Sequence, residues 1–279
     1  MGLSILWFTV LVWLGSVLGG FLGALTGLGG GVIIVPLLTL VFGVDIRYAV
    51  GASLVSVIAT SSGAAAAYVK EGFTNMRVGM FLEVFTTLGA LLGAFLAGMM
   101  SGGVIAVIFG LVLFYTVYTS RHPMPEQVGE EPDPLATKLK MNGTYPSLTD
   151  IKQYFVRSVP LGSSLMFLAG ALSGLLGIGS GTVKVLAMDR AMRLPFKVST
   201  TTSNFMIGVT AAASAGAYLS RGWIDPGLAM PVMLGVLLGS VLGARVLCVS
   251  PTARLRQVFS IVILVVGLEM IFNGLTGRI

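Results

Sequence analysis

The sequence predicts an all-α polytopic membrane protein with two inverted-topology repeats of about five helical segments each, and a short broken or re-entrant helix after a glycine-rich cluster in each repeat. Three observations carry this prediction. The chain of 279 residues is 55% hydrophobic and only 10% charged; its apolar segments form two series; and the same glycine pattern occurs in both series. Soluble domains carry about 25% charged residues, so this composition excludes a soluble domain and indicates a chain that crosses the bilayer several times.

The first series of apolar segments covers approximately 3–26, 32–44, 48–69, 78–100 and 104–119, and the second covers approximately 159–176, 182–192, 198–219, 227–249 and 258–275. A transmembrane helix needs about 20 residues, so the second segment of each series is too short for a full crossing. The segments predict three parts, which are a first transmembrane repeat over 1–120, a cytoplasmic proline-rich and acidic linker over 121–157, and a second transmembrane repeat over 158–279.

One glycine cluster follows the first segment of each series. These clusters are Gly27-Leu28-Gly29-Gly30-Gly31 and Gly177-Ile178-Gly179-Ser180-Gly181. Glycine adopts φ > 0 and lets another backbone or a ligand come close, so each cluster predicts a break in a helix. The helix after each break would direct its first N–H groups and its positive dipole end into the gap, which suits an anion. The alternative is a stripe for helix packing, because Gly27 also continues the four-residue spacing of Gly15, Gly19 and Gly23.

The two halves match without a gap at a constant spacing of 150 residues. Matched pairs include Gly20 with Gly170, Ser53 with Ser203, Tyr68 with Tyr218, Gly72 with Gly222, Gly89 with Gly239 and Gly93 with Gly243. A register held through about 90 residues indicates an internal duplication. The four-spaced glycines Gly89, Gly93, Gly235, Gly239 and Gly243 are predicted to let helices pack closely and have no expected ligand role.

An odd number of segments in each copy would turn the second copy upside down relative to the first. The Lys and Arg residues agree with this, because thirteen lie in one set of loops and only Arg47, Arg221 and Arg278 lie in the other. Basic residues concentrate on the cytoplasmic side of a membrane, so both termini are expected outside and the central linker inside the cell. The count leaves open whether the first two segments of each copy both span the membrane or form a re-entrant hairpin.

The linker is the polar part of the chain. Its prolines and acidic residues up to about Pro134 predict an extended, solvated segment. From Leu148 onward, Ile151, Tyr154 and Phe155 with neighbouring basic residues predict a short amphipathic helix on the inner membrane surface. The alternative is a helix that leads into the next span and has no separate role.

Ionisable side chains inside apolar segments are costly in a membrane, which makes them candidates for function. Lys184 lies three residues after the second glycine cluster, where it would add a positive charge to an anion site. The alternative is a lysine that extends to the membrane surface. Glu83 and Glu269 would either carry a coupling proton or form structural ion pairs with Arg77 or Arg245.

Small and hydroxylated residues open the third segment of each repeat, at 49–53 and 199–204. If these segments pack against the glycine breaks, the hydroxyls of Ser53 and Ser203 and the amide of Asn204 would donate to ligand oxygens. Hydrogen bonding between helices is the alternative role. The predicted substrate-binding residues are Gly29, Gly30, Gly31, Val32, Ser53, Gly179, Ser180, Gly181, Thr182, Lys184, Ser203 and Asn204.

The sequence argues against several other kinds of site. It contains no hydrolase elbow, phosphate loop, zinc-ligand spacing or paired catalytic carboxylates, so no enzymatic activity, cofactor or metal site is predicted. The single cysteine, Cys248, cannot form an internal disulfide. The net charge of +6 is scattered among loops and predicts no nucleic-acid partner. The expected partners are a small anion and membrane lipid, and a homodimer is left open.

Three stretches recur in weaker form in the second half: the first glycine cluster with Pro36, Ala49-Val50-Gly51-Ala52-Ser53, and Tyr68 with Gly72. Together they resemble the TauE/SafE sulfite exporter family. The resemblance covers nearly the whole chain outside the linker. It implies a bacterial inner-membrane transporter that usually exports sulfite, sulfoacetate or related organosulfonates.

The second half departs from the first at two positions, where Leu186 replaces Pro36 and Ser180 replaces Gly30. The two half-sites are therefore not expected to be equivalent. We expect a secondary transporter that works by alternating access around a central anion site. An anion channel, a carrier of a non-sulfur carboxylate, and a membrane enzyme or assembly factor that handles sulfur compounds are the alternatives.

Overall fold

A computed structural model describes residues 5–26, 30–70, 73–121, 133–146, 151–247 and 252–278. Within these ranges the chain is almost entirely helical, and its β-structure is a two-stranded sheet. The all-α fold that the composition predicts is therefore confirmed.

The helices of the two halves follow one another in the same order. The first half contains α1 (Ile5–Thr26), α2 (Gly31–Pro36), α3 (Ile46–Lys70), α4 (Met76–Met99) and α5 (Gly102–Arg121). The linker contains α6 (Pro134–Lys138), β1 (Gly143–Pro146) and β2 (Ile151–Tyr154). The second half contains α7 (Val159–Leu176), α8 (Gly181–Leu186), α9 (Phe196–Ser220), α10 (Pro226–Leu247) and α11 (Thr252–Leu275). Both short helices continue as a π-helical turn, Leu37–Val41 after α2 and Ala187–Ala191 after α8.

Among the described residues, α1, α4, α5, α7 and α10 contain stretches long and apolar enough to cross a bilayer, with mean hydropathy between 1.7 and 2.0. The central helices α3 and α9 have 25 residues each, but serine and threonine make them more polar. The short helices with their π-turns cover only 31–41 and 181–191, which is about half of the 20 residues that a crossing needs. The second segment of each half is therefore too short to cross the bilayer, as the sequence predicts.

The helices of the two halves pack in exchanged pairs, α1 on α10 and α4 on α7. Because α1 corresponds to α7 and α4 to α10, each contact repeats the other. A Cβ on Gly89 would overlap the carbonyl of Phe167, and a Cβ on Gly239 would overlap the carbonyl of Val17. Glycine lets helix backbones touch in this way, which is the packing role that the sequence predicts for these two glycines.

The last helices of the two halves, α5 and α11, run in opposite directions. The start of α5 meets the end of α11, where a Cβ on Gly103 would lie 2.6 Å from the carbonyl oxygen of Gly274. Further along, a Cβ on Gly110 would lie 2.7 Å from the carbonyl oxygen of Gly267. The two helices are therefore antiparallel.

The central helices α3 and α9 are also antiparallel. Gly51, near the start of α3, packs against the carbonyl of Trp223, just past the end of α9. At the other end, the backbone N–H of Asn75, which follows α3, donates 3.0 Å to Oγ1 of Thr202 near the start of α9. Two copies of opposite orientation would have this relation, whereas the side of the membrane that each end faces stays a prediction.

Residues 151–154 form a β-strand, so the prediction of an amphipathic helix there was wrong. β2 pairs with β1 in antiparallel register, with Gly143 opposite Tyr154 and Pro146 opposite Ile151. The side chain of Tyr154 is buried, at 2% exposed. Pairing with an earlier strand stabilises the segment, and a helical pattern read along the chain cannot reveal such a partner.

The described part of the linker joins the two halves. Nδ2 of Asn75, at the start of α4, donates 2.7 Å to the hydroxyl of Tyr154 and 2.8 Å to the carbonyl of Met141. The backbone N–H of Arg157 donates 3.0 Å to the carbonyl of Met192. The linker is therefore packed against the ends of helices from both repeats, while most of the segment predicted to be extended lies outside the described residues.

Candidate functional site

The second glycine cluster is a helix break between α7 and α8. Gly177, Gly179 and Ser180 have φ angles of +68°, +70° and +45°, in the left-handed region that residues with a Cβ rarely adopt. Glycine meets little steric penalty there. The chain therefore leaves the helix after Leu176 and begins a new one at Gly181.

The start of α2, just after the first glycine cluster, touches the second break. Oγ of Ser53, on α3, donates 2.7 Å to the carbonyl of Gly177. A Cβ on Gly31 would lie 2.8 Å from the same carbonyl oxygen and 2.7 Å from Oγ of Ser53. Gly30 and Val32, the neighbours of Gly31 in the chain, are buried, and a Cβ on Gly30 would meet the side chain of Val236. The start of α2 and Ser53 of α3 are therefore tightly packed against the second break.

Helix α9 approaches the second break from another side. Oγ of Ser203 donates 3.2 Å to the carbonyl of Gly181, and Asn204 beside it is half-buried. A serine hydroxyl has a single proton. In this conformation Ser53 and Ser203 direct that proton to the backbone of the second break, so the structure displays their role in hydrogen bonding between helices.

Ser180 differs from these two serines, because its hydroxyl has no hydrogen-bond partner among the described residues. The side chain is 2% exposed and Oγ is buried. A buried polar group without a partner costs about 1–3 kcal/mol. The second break therefore contains a free hydroxyl at the position where the first break has Gly30.

Lys184 is fully buried one turn after the second break, at 0% exposed. Its Nζ donates 2.6 Å to Oγ1 of Thr210 on α9. Oγ1 of Thr210 lies 2.7 Å from Oε1 of Glu83 on α4, as a donor to this carboxylate. The three side chains form a continuous hydrogen-bonded series, which we call the Lys–Thr–Glu chain.

Glu83 is the acidic end of this chain and is 8% exposed. Its carboxylate also accepts from Thr86, at 3.0 Å, and from Thr87, at 3.2 Å. A lone charge is costly in a membrane interior, and an opposite charge with added hydrogen bonds offsets part of that cost. Because α4 belongs to the first half and α8 and α9 to the second, the Lys–Thr–Glu chain crosses the interface between the halves.

A profile of the family described as Sulfite exporter TauE/SafE matches residues 12–270. The chain belongs to the TauE/SafE family. Similar proteins include Probable membrane transporter protein YunE of Bacillus subtilis, which is 26% identical over 96% of this chain and 98% of its own length. A Probable membrane transporter protein of Xylella fastidiosa is 27% identical over 93% of each chain. Probable membrane transporter protein MJ0441 of Methanocaldococcus jannaschii is 24% identical over 90% of this chain and 91% of its own. No solved structure shows significant similarity to the chain.

Two other ionisable candidates of this TauE/SafE chain, Arg77 and Glu269, do not join the site. Arg77 is exposed, and its Nη1 donates 3.2 Å to the carbonyl of Lys140. Glu83 is therefore brought to Lys184 rather than to Arg77. Glu269 is exposed on α11. The predicted site features that lie outside the described residues are all of Gly29 and the side chains of Thr182 and Arg245.

Thr210 is the member of the Lys–Thr–Glu chain that the sequence did not single out. A signal for it exists, because Thr210 follows Ser203 by seven residues, which is about two turns along one face of a helix. Threonines in membrane helices commonly bond their own backbone, and Oγ1 of Thr210 also lies 2.9 Å from the carbonyl of Met206. Its role becomes visible only because Lys184 and Glu83 converge on it.

Proposed function

We propose that this chain is a secondary transporter that exports sulfur-containing anions, such as sulfite, sulfoacetate or related sulfonates, by alternating access. The observation that carries the proposal is the contact of Gly31, at the start of α2, with Gly177 in the second break, together with the fully buried Lys184 one turn after that break. Interrupted helices in corresponding places of two halves are typical substrate sites in transporters. Membership of a family described as sulfite exporters supports the substrate class.

The chemistry of the breaks suits a sulfonate. This group spreads one negative charge over three oxygens, so it is held best by several donors of moderate strength. Ser180 offers a buried hydroxyl without a partner, and the backbone N–H groups that open α2 and α8 would supply further donors. When the start of α2 and the second break separate, Ser53 would lose its present carbonyl acceptor, Gly177, and could turn its proton to the substrate.

The packing suggests how the site would open. The α1–α10 and α4–α7 pairs are held by direct contacts at glycines, and such contacts favour movement of each pair as a rigid body. The site lies where helices from both halves meet. Rocking of one body against the other would expose the breaks alternately to the two sides of the membrane.

We further propose a bacterial inner-membrane location with both termini outside and the linker in the cytoplasm, as the distribution of Lys and Arg supports. A reporter that is active only in the periplasm, fused after Ile279, should be active. The same reporter inserted near Pro134, in the linker, should be silent. The opposite pattern would reverse the proposed orientation.

Transport by purified protein in liposomes tests the proposed function. The panel is sulfite, sulfoacetate, isethionate, taurine, sulfate, lactate and chloride. Saturable counterflow of sulfonates or sulfite is the expected result. A preference for lactate would indicate a carboxylate carrier, unitary currents would indicate a channel, and chemical conversion of a substrate would indicate a membrane enzyme.

Two serines give a matched test of the site. S180A removes the unpartnered hydroxyl in the break, and S173A removes another buried and unpartnered hydroxyl within α7. Neither substitution breaks a hydrogen bond of the described residues, and each removes a buried polar group without a partner, so neither should lower stability. We expect S180A to raise the KM for a sulfonate about three- to tenfold, as loss of one hydrogen bond predicts, and S173A to leave it unchanged. Equal KM values would place the substrate elsewhere.

A further inference from the structure

Lys184 and Glu83 are buried opposite charges that belong to different halves of the chain and share the hydroxyl of Thr210. We infer that Glu83 takes up one proton whenever a singly charged anion binds beside Lys184, so that anion and proton cross the membrane together without net charge. The inference rests on the proposed function, because it assigns the coupling ion of the same site.

Charge balance is the physical reason. Without substrate, one lysine cation and one carboxylate give the buried cluster a net charge of zero. An added anion would leave two negative charges around one cation, and an uncompensated charge is strongly disfavoured in a membrane interior. Protonation of Glu83 to the neutral carboxylic acid restores the balance. Both the empty and the loaded carrier are then neutral when they change conformation.

The hydrogen bonds around Glu83 accommodate both protonation states. With Glu83 ionised, Thr210 can donate to Oε1 at 2.7 Å. With Glu83 protonated, the new O–H can donate to Thr210, whose own proton can turn to the carbonyl of Met206 at 2.9 Å. Thr86 has the same choice, because its Oγ1 lies 3.0 Å from Oε2 of Glu83 and 3.1 Å from the Glu83 carbonyl. The proton therefore joins and leaves one carboxylate oxygen without stranding a buried polar group.

The helices packed on α4 are α7 and α9, and α7 carries no titratable side chain. The remaining titratable groups of α4 and α9 make contacts elsewhere. They are Arg77, which donates to the carbonyl of Lys140; Lys197, whose Nζ lies 5.5 Å from the ring centre of Phe73; and Tyr218, which donates 3.3 Å to the carbonyl of Leu175. Among the described residues, Lys184 is thus the charged group that faces Glu83.

Coupling of this kind changes what drives transport. The membrane potential has no effect on a step that moves no net charge. The direction of net flux then follows the anion and proton gradients together. Export proceeds when the inside-to-outside ratio of the anion exceeds the outside-to-inside ratio of protons.

The test uses the full chain in liposomes that contain a pH-sensitive dye, with isethionate as the probe. Its sulfonate stays ionised over the whole working range, so any proton that crosses with it must be carried by the protein. An inward isethionate gradient should acidify the lumen with one proton per anion. A potential set by potassium and valinomycin should leave the rate unchanged. Isethionate uptake without acidification, or uptake that the potential accelerates, would overturn the inference while the proposed function stands.

Variants locate the coupling. E83Q keeps the shape of the side chain but cannot take up the proton, so net uptake and acidification should fall at least tenfold. Exchange of internal for external isethionate should persist, because exchange never passes through the empty carrier.

E269Q replaces the other carboxylate that the sequence singled out, and it should retain acidification. Loss of acidification in E269Q, and not in E83Q, would overturn the assignment. If E83Q does not fold, the proton count of the unmodified protein still decides. Absence of saturable sulfonate transport would overturn the proposed function and the inference with it.

Discussion

Glu83 of α4 and Lys184 of α8 are joined through one hydroxyl group, that of Thr210 in α9. The lysine that the sequence placed beside an anion site therefore already has a counter-charge. An incoming anion must compete with Glu83 for it, which links substrate binding to the charge of a carboxylate on the other half of the chain.

Removing both charges of this pair should destabilise the protein by less than the two single removals added together. K184M leaves a buried carboxylate without its cation, and E83Q leaves a buried cation. Loss of one partner of a buried pair costs about 3–5 kcal/mol. The double variant should cost at least about 1 kcal/mol less than the sum of the single variants. Equilibrium unfolding of the four proteins in mixed micelles measures this, and additive costs would show that the charges do not interact.

The hydroxyl of Thr210 can be tested with two substitutions of similar size. T210V removes the group that bonds both Lys184 and Glu83, so it should lower stability by about 1–3 kcal/mol and strongly reduce net transport. T210S keeps the hydroxyl and loses one methyl group, which costs about 1 kcal/mol. Transport of T210S should stay close to that of the unmodified protein. Equal stability and equal transport in the two variants would show that packing at this position matters and that the hydroxyl group does not.

Gly31 should not tolerate a side chain. Its added Cβ would press on Oγ of Ser53 and on the carbonyl of Gly177, and overpacking of this kind costs about 1–3 kcal/mol. G31A should therefore lower both stability and transport, because it pushes the two breaks apart. The matched control is G216A, since Gly216 lies within α9 and has open space around it. This control should be neutral or stabilising by up to about 1 kcal/mol, and a G31A variant as stable as G216A would contradict the observed contact.

The linker should loosen when Tyr154 loses its hydroxyl. Y154F deprives Nδ2 of Asn75 of an acceptor, and a hydrogen bond of this kind contributes about 1 kcal/mol. Backbone amides of β1 and β2 should then exchange with deuterium faster than in the control Y115F, whose side chain is exposed on α5. Unchanged exchange in Y154F would show that strand pairing alone holds the linker.

The same tyrosine predicts a dependence on pH. Burial raises the pKa of Tyr154 above its ordinary value of 10.0, while the hydrogen bond from Asn75 lowers it in part. The contribution of neutral Tyr154 is therefore fully present below pH 10 and is lost as pH rises through the raised pKa. Amide exchange in β1 and β2 should accelerate above pH 10 more in the unmodified protein than in Y154F, after correction for intrinsic exchange. Identical profiles would show that Tyr154 does not titrate in this range.

Several elements could be located from the chain alone. The break at Gly177–Gly181 and the short helices after both clusters are local features, because glycine's tolerance of φ > 0 and the length of an apolar segment belong to the residues themselves. The strand Ile151–Tyr154 could not be located in this way. Its conformation depends on pairing with Gly143–Pro146, and the spacing of apolar residues carries no information about that partner.

The amino-acid order was sufficient to predict the apolar helices, the short helix after each glycine cluster, the break at Gly177–Gly181 and an ionisable Lys184 within an apolar segment, because composition and periodicity act within single helices. Packing alone selected Glu83 and Thr210 as the partners of Lys184, and it directed the proton of Ser53 to Gly177. The spacing of residues along one helix specifies which side chains share a face. This spacing does not specify which face of another helix will pack against them. The Lys184–Glu83 pair and the contact of Ser53 with Gly177 both depend on that packing.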